Sequence, residues 1–349
     1  MEEDEFMLEV LPEHVLATME VRDRAMNMLG SEGSGLEFLV DDLQKWKSGQ
    51  TITVAFLGGS DALCKDIAAL TKEITDACNI KLDFGNGAVG RWSESDKDYA
   101  ADIRVSFDKK GYFSLVGTDS VNATIGAPAE RVGGRPHQCS LNLGGFAISR
   151  PAGWKGTVLH EFLHALAFHH EHQNMKGVCR DEFRWDDDAG YEPTITAGGT
   201  FTADGQGRRP GIYTYLAGPP NSWSRAKVDH NLRPDEDAHT TASTFDQKSI
   251  MLYRFPQIFY KTTPSPCAPL TEAVSLSAGD RKGLQHLYPH DEGIALAVAR
   301  QSVVLENLLG GGGDGLEAAG GIDAGNSPSE YLRAAAAVYA RKSGGNSAS

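Results

Sequence analysis

Thr157-Val-Leu-His-Glu-Phe-Leu-His-Ala-Leu-Ala-Phe-His-His-Glu-His172 is the stretch on which the fold and the chemistry of this chain turn. It holds the pattern HExxH as His160, Glu161 and His164. Residues four apart on a helix point the same way, so both imidazoles can reach one cation. Imidazole nitrogen suits Zn²⁺, and HExxH on a helix is the common zinc-hydrolase arrangement. Glu161 then projects beside the cation, where it can take a proton from water. A lone histidine is ordinarily a satisfied core residue. Here a third one, His170, follows ten residues after the first, giving HExxHxxxxxH. The remaining positions, Val158, Leu159, Phe162, Leu163 and Leu166, are apolar. Such a helix is buried, and polar groups on it are costly unless they are used. One Zn²⁺ per chain is expected, held by His160, His164 and His170. His169 and His172 stand close enough to compete as third ligand, and the spacing favours His170.

Upstream of this segment, Thr51 to Leu57 is rich in β-branched residues and predicts a strand. An amphipathic helix follows, capped by Ser60, with Leu63, Ile67, Leu70 and Ile74 at helical spacing and Asn79 to end it. Ile80, Leu82 and Phe84 alternate as a strand, and so do Ile103, Val105 and Phe107. Tyr112 to Val116 and Ser140 to Leu143 are further short strands. Strand, helix, strands and a second helix make an α+β fold, a mixed sheet with helices packed on it. Downstream, Asn174 to Thr244 reads as loop-rich, and Ser277 to Tyr288 as a short closing helix. Three regions result. Residues 1–45 form an N-terminal extension with a helix around Glu13 to Met28, residues 46–290 the main domain, and residues 291–349 a helical, low-complexity tail.

Composition narrows the function classes. Lys and Arg total 33 against 47 Asp and Glu, a net charge of -14. Phosphate backbones repel such a chain, so no nucleic-acid partner is expected. No apolar run reaches the roughly 18 residues of a membrane span. The acidic start, Met-Glu-Glu-Asp-Glu-Phe, has neither the basic nor the apolar region of a secretory signal. The chain as written is therefore expected in the cytoplasm, or exported by another route, or stripped of its signal. Of the five cysteines, Cys64 and Cys78 fall on one helix, about 21 Å apart at about 1.5 Å per residue. That is too far to bridge. Any disulfide comes from Cys139, Cys179 and Cys267, with Cys179 to Cys267 one candidate pair.

HExxHxxGxxH marks the metzincin metalloproteases, and the segment above resembles their astacin branch in His170-Glu171, Ala165 and Phe168. Far downstream, Ser249-Ile-Met-Leu-Tyr253 resembles the astacin Met-turn, SxMxY. Trp46 to Val54 is similar to the opening strand of these domains, and Leu276 to Asp280 with Leu287-Tyr288-Pro289 to their closing helix. The resemblance thus spans Trp46 to His290. His170-Glu-His-Gln173 and Pro220-Asn-Ser-Trp223 look closer to microbial astacin-like proteins than to the animal enzymes.

The resemblance implies a twisted mixed sheet and active-site helix in the N-terminal half, a loop-rich C-terminal half, and a cleft between them. It implies His160, His164 and His170 as zinc ligands and Glu161 as general base. Met251 would be an apolar floor under the ligands, and Tyr253 the hydroxyl that stabilises the transition state. The activity implied is zinc endopeptidase action on a protein or peptide substrate, bound as an added strand along an edge such as Tyr112 to Val116. A catalytically silent, zinc-stabilised binding module on the same fold is the alternative. Two positions depart from the pattern. Ala167 replaces the glycine that lets the helix end in a left-handed turn, so either the turn is strained or the helix ends differently. In processed astacins the residue at Glu171 meets the new N-terminal amine. Here residues 1–45 precede the domain as a candidate prosegment, and Glu171 has local hydrogen bonding as its other option.

Overall fold

In the computed structural model, residues 11–30, 44–85, 101–174, 176–219, 221–233 and 244–290 are described. The helical tail expected after His290 lies outside them. The described chain divides into two units, one of residues 11–168, 274–276 and 280–290, the other of residues 169–273 and 277–279.

The first unit carries the sheet. Helix α1 (Glu13–Gly30) precedes β1 (Thr51–Phe56), α2 (Asp61–Thr75), β2 (Lys81–Asp83), β3 (Ile103–Ser106) and β4 (Tyr112–Ser114). Two short strands follow, β5 (Gly126–Ala127) and β6 (Val132–Gly133), and then β7 (Leu141–Leu143) and α3 (Trp154–Ala165). The main sheet has the order β2-β1-β3-β7-β4. β1 runs parallel to both β2 and β3, β3 parallel to β7, and β4 antiparallel to β7 at the edge. This is the mixed sheet expected. Ser60 caps α2 by accepting from the Leu63 N–H at 3.2 Å, and α2 buries Leu63, Ile67 and Ile74.

Two local expectations need correction. α2 stops at Thr75, where Asp76 N–H donates to Lys72 O, and not at Asn79. Asn79 instead ties the chain before β1 to the end of the unit, its amide donating to Ser48 Oγ and Pro289 O, both at 3.2 Å. β3 was expected to bury alternate residues, yet all four are buried. Arg104 is fully covered because its guanidinium donates to the carbonyls of Gln138, Ala101, Asp102, Ser120 and Gly133. A buried charge is tolerable when its donors are satisfied in this way.

α1 packs on this unit. Leu11, Val15, Leu16 and Met19 join Phe113, Leu115, Ile125, Ala127 and Val132 in one apolar cluster. Arg22 forms a buried ion pair with Asp119, and the Gly126 N–H donates to Thr18 Oγ1 at 3.1 Å. Residues 11–22 of the extension thus supply core side chains.

The second unit has shorter elements: α4 (Cys179–Glu182), a hairpin of β8 (Thr194–Ile195) and β9 (Phe201–Thr202), α5 (Ile212–Ala217) and α6 (Arg225–Leu232). The loop-rich reading of 174–244 missed these helices, the longest of which has eight residues. They are too short for a periodic pattern to stand out. What holds the unit is a cluster of buried Phe183, Phe255, Phe259 and Tyr260, and a disulfide between Cys179 and Cys267, the pair named from the sequence. Cys64, Cys78 and Cys139 are free and buried. Burial pushes the thiols of Cys78 and Cys139 up to about 11, so neither is a nucleophile at neutral pH. The closing helix α7 (Ala278–Leu287) ends the described chain.

Candidate metal centre

α3 presents His160, Glu161 and His164, all buried, among fully buried Leu159, Phe162 and Leu163. Its C-terminal end is held with unusual completeness. The last four carbonyls of a helix lack partners within it. Here Phe168 N–H donates to Leu163 O at 3.0 Å and Ala167 N–H to His164 O at 2.9 Å, the paired bonds of a Schellman turn. The indole N–H of Trp46 donates to Ala165 O at 2.7 Å, and the Tyr288 hydroxyl to Leu166 O at 2.9 Å. In the sequence, Trp46 and Tyr288 entered only through the family resemblance. Their polar ends complete the active-site helix.

Ala167 sits at the left-handed position of that turn with φ of +66°. The helix therefore ends where glycine would end it, and the alanine is strained. An L side chain there costs about 1 kcal/mol. Ala167→Gly is expected to raise stability by up to about 1 kcal/mol, less the part offset by a more flexible unfolded chain. Thermal melting should show a gain of up to about 2–4 °C. A lower melting temperature would mean that the Ala167 methyl contributes more by packing than it costs in strain.

The turn has a second effect. Phe168 O accepts a hydrogen bond from Nδ1 of His164 at 2.7 Å. With Nδ1 protonated, Nε2 carries the lone pair. That atom lies 3.1 Å from Nε2 of His160. One ring nitrogen from each of His160, His164 and His170 lies within 4.8 Å of the others. Three neutral imidazoles so gathered fit a tetrahedral Zn²⁺ with one position left for water or substrate. His169 is exposed. His172 is fully buried, and its Nε2 donates to Asn231 O at 2.9 Å.

Within the second unit, His170 and Glu171 are tied to the Ser249–Tyr253 segment. Met251 is buried, its N–H donates to Ser249 Oγ at 3.0 Å, and its carbonyl accepts from Glu171 N–H at 2.9 Å. Glu171 Oε1 accepts from the N–H of Asp246 at 2.8 Å and from the Asn174 amide at 3.0 Å, the local bonding weighed from the sequence. Tyr253 is half-buried with its ring 4.7 Å from that of His170. In the first unit, burial raises the pKa of the Tyr112 hydroxyl, and the nearby Glu161 carboxylate raises it further. The edge strand β4 therefore runs close to the Glu161 side of α3.

No protein-family model matches this sequence, and no curated protein sequence matches it significantly. Its structure is similar to that of myroilysin, with 26% identity, a TM-score of 0.50, and coverage of 71% of this chain and 97% of that one. This chain has an astacin-like metalloprotease fold. A second myroilysin crystal structure matches at 23% identity and a TM-score of 0.42 over 71% of this chain and 86% of that one. High choriolytic enzyme 1, a hatching-enzyme zinc-protease from Oryzias latipes (medaka fish), matches at 17% identity and a TM-score of 0.38 over 70% and 94%. In the astacin-like fold of this chain, Gln173 is a residue the sequence reading did not single out. The signal for it was its place three residues after His170, one turn of a 3-10 helix away.

Proposed function

We propose that the protein is a zinc-dependent endopeptidase, with one Zn²⁺ held by His160, His164 and His170 and with Glu161 as general base. The observation that carries this reading is the three histidine nitrogens within 4.8 Å of one another, two of them from the helix that bears Glu161. Similarity to myroilysin supports it at the level of the fold. Zinc bound there would supply a Lewis acid and bring the pKa of water toward 7. Glu161 takes the proton of the attacking water and hands it to the leaving amine. The Tyr253 hydroxyl donates to the oxygen that becomes negative in the transition state. An extended peptide would bind as an additional strand at the β4 end of the sheet.

The alternative, a silent binding module, makes weaker use of these residues. A structural zinc site is closed by four protein ligands, whereas this group has three histidines with a carboxylate beside them. Cleavage of a peptide library by the purified full chain, with zinc measured on the same sample, separates the two. Internal peptide bonds should be cut, the activity should stop with chelator, and added Zn²⁺ should restore it. Stoichiometric zinc with no cleavage of any peptide would favour the binding module.

A further inference from the structure

We propose that Gln173 is the positioning residue of the third ligand, fixing the ring and the tautomer of His170; this rests on the metal reading above. Glu171–Gln173 form one turn of 3-10 helix directly after His170, closed by Gln173 N–H donating to His170 O at 3.0 Å. Side chains three apart on such a turn eclipse one another. The Gln173 side chain is thereby brought over the His170 ring, and its Oε1 lies 3.3 Å from Nδ1. An amide can be placed either way round, so the other end decides which atom is which. Gln173 Nε2 lies 3.4 Å from the carbonyl of Arg233, the residue that caps α6. A carbonyl only accepts, so the amide nitrogen belongs there and Oε1 must face His170. An oxygen facing Nδ1 requires the proton on Nδ1. Nε2 of His170 then holds the lone pair for the cation.

Two features strengthen the arrangement. The carbonyls at the C-terminal end of a helix carry partial negative charge. Donation to one of them polarises the amide and makes Oε1 a better acceptor. The same end of α6 also receives the N–H of His172, through Asn231 O, so the turn is anchored at two adjacent points. His164 reaches the same state by a different route, through the carbonyl of Phe168. One ligand is thus fixed by backbone and another by a side chain, and the side-chain one is open to mutation.

The test measures zinc affinity of the full-length apoprotein by competition with a chromophoric chelator, with zinc alone as probe. Gln173→Met keeps the length and removes the acceptor, and its Kd should rise about 10–100-fold, the usual effect of losing a partner behind a metal ligand. Gln173→Glu loses the bond to Arg233 O as well but keeps an acceptor on Nδ1, so its Kd should stay closer to wild type. Should Gln173→Met fail to fold, Gln173→Asn withdraws the acceptor by one methylene and carries the same expectation. Melting of the apoproteins separates a packing defect from a metal effect. An unchanged Kd in the variants lacking the acceptor, or equal losses in these and in Gln173→Glu, overturns the proposal. If the wild-type protein takes up no zinc, the metal reading fails first and this one with it. Tight zinc in wild type with an indifferent Gln173 removes this proposal alone.

Discussion

Glu161→Gln is expected to bind zinc and fold as the wild type does while turnover falls by about 10²–10⁴-fold. The side chain is 2% exposed on a helix packed on both flanks by fully buried Leu159, Phe162 and Leu163. Glutamine fills the same volume, so the neighbours need not move. The carboxamide cannot take a proton from water or return it to the amine. The interaction lost is made in the transition state and not in the bound substrate, so kcat and kcat/KM should fall together. Retained turnover within roughly tenfold of wild type would remove Glu161 from the role of base. A rise in KM alone would make it a substrate-binding group. Zinc content and the melting curve of the same preparation guard against a trivial loss of the site.

The active-site helix was legible because one segment carried two signals at once, an apolar face and histidines at helical spacing. β1 and α2 were legible for similar reasons, a β-branched run and a capped amphipathic period, whereas Cys179 to Cys267 was one of three pairs left open, and Cys78, read onto the same helix as Cys64, lies beyond the end of α2. What escaped was set by contacts distant in sequence. Asn79 looked like a helix stop, and its side chain instead holds Pro289, 210 residues away. Arg104 looked like the solvent face of a strand, and five carbonyls, three from other segments and two from its own strand entrance, hold it in the interior. The short helices of the second unit lack the length over which periodicity accumulates. Trp46 illustrates the same limit at the site. Its ring could be read as apolar, while the indole N–H that satisfies Ala165 O depends on the chain returning beside α3. Ala167 ran the other way. The sequence posed two outcomes, and the left-handed φ selects the strained one without moving the helix end.

His170→Ala is expected to empty the metal site, whereas His169→Ala and His172→Ala should leave about one zinc per chain. His160 and His164 share a helix face, and a third ligand has to return from beyond the helix end. The left-handed turn at Ala167 ends the helix at that point, and the His170 nitrogen lies with the other two. His169 is exposed and outside the group of three, so its loss should leave the metal in place. His172 separates the two properties. It is buried and bonded to Asn231 O, so removing it strands a carbonyl and should cost about 1–3 kcal/mol of stability. Its metal content should nonetheless remain near that of wild type. For His170→Ala the loss is linked to zinc. A ligand at 1,000 times its Kd adds about 4 kcal/mol to the folded state. At about 2–4 °C per kcal/mol, the melting temperature in zinc should drop by roughly 8–16 °C. In the apoprotein the gap should shrink to what the Gln173 hydrogen bond and the Tyr253 ring contact contribute, because the metal term is then absent from both proteins. Dialysis against a mild chelator followed by metal analysis decides the ligand, since two histidines hold zinc weakly and exchangeably. If His169→Ala emptied the site while His170→Ala stayed full, the register after Ala167 would be shifted by one residue. The hydrogen bond from His170 to Gln173 would then serve the turn and not the metal.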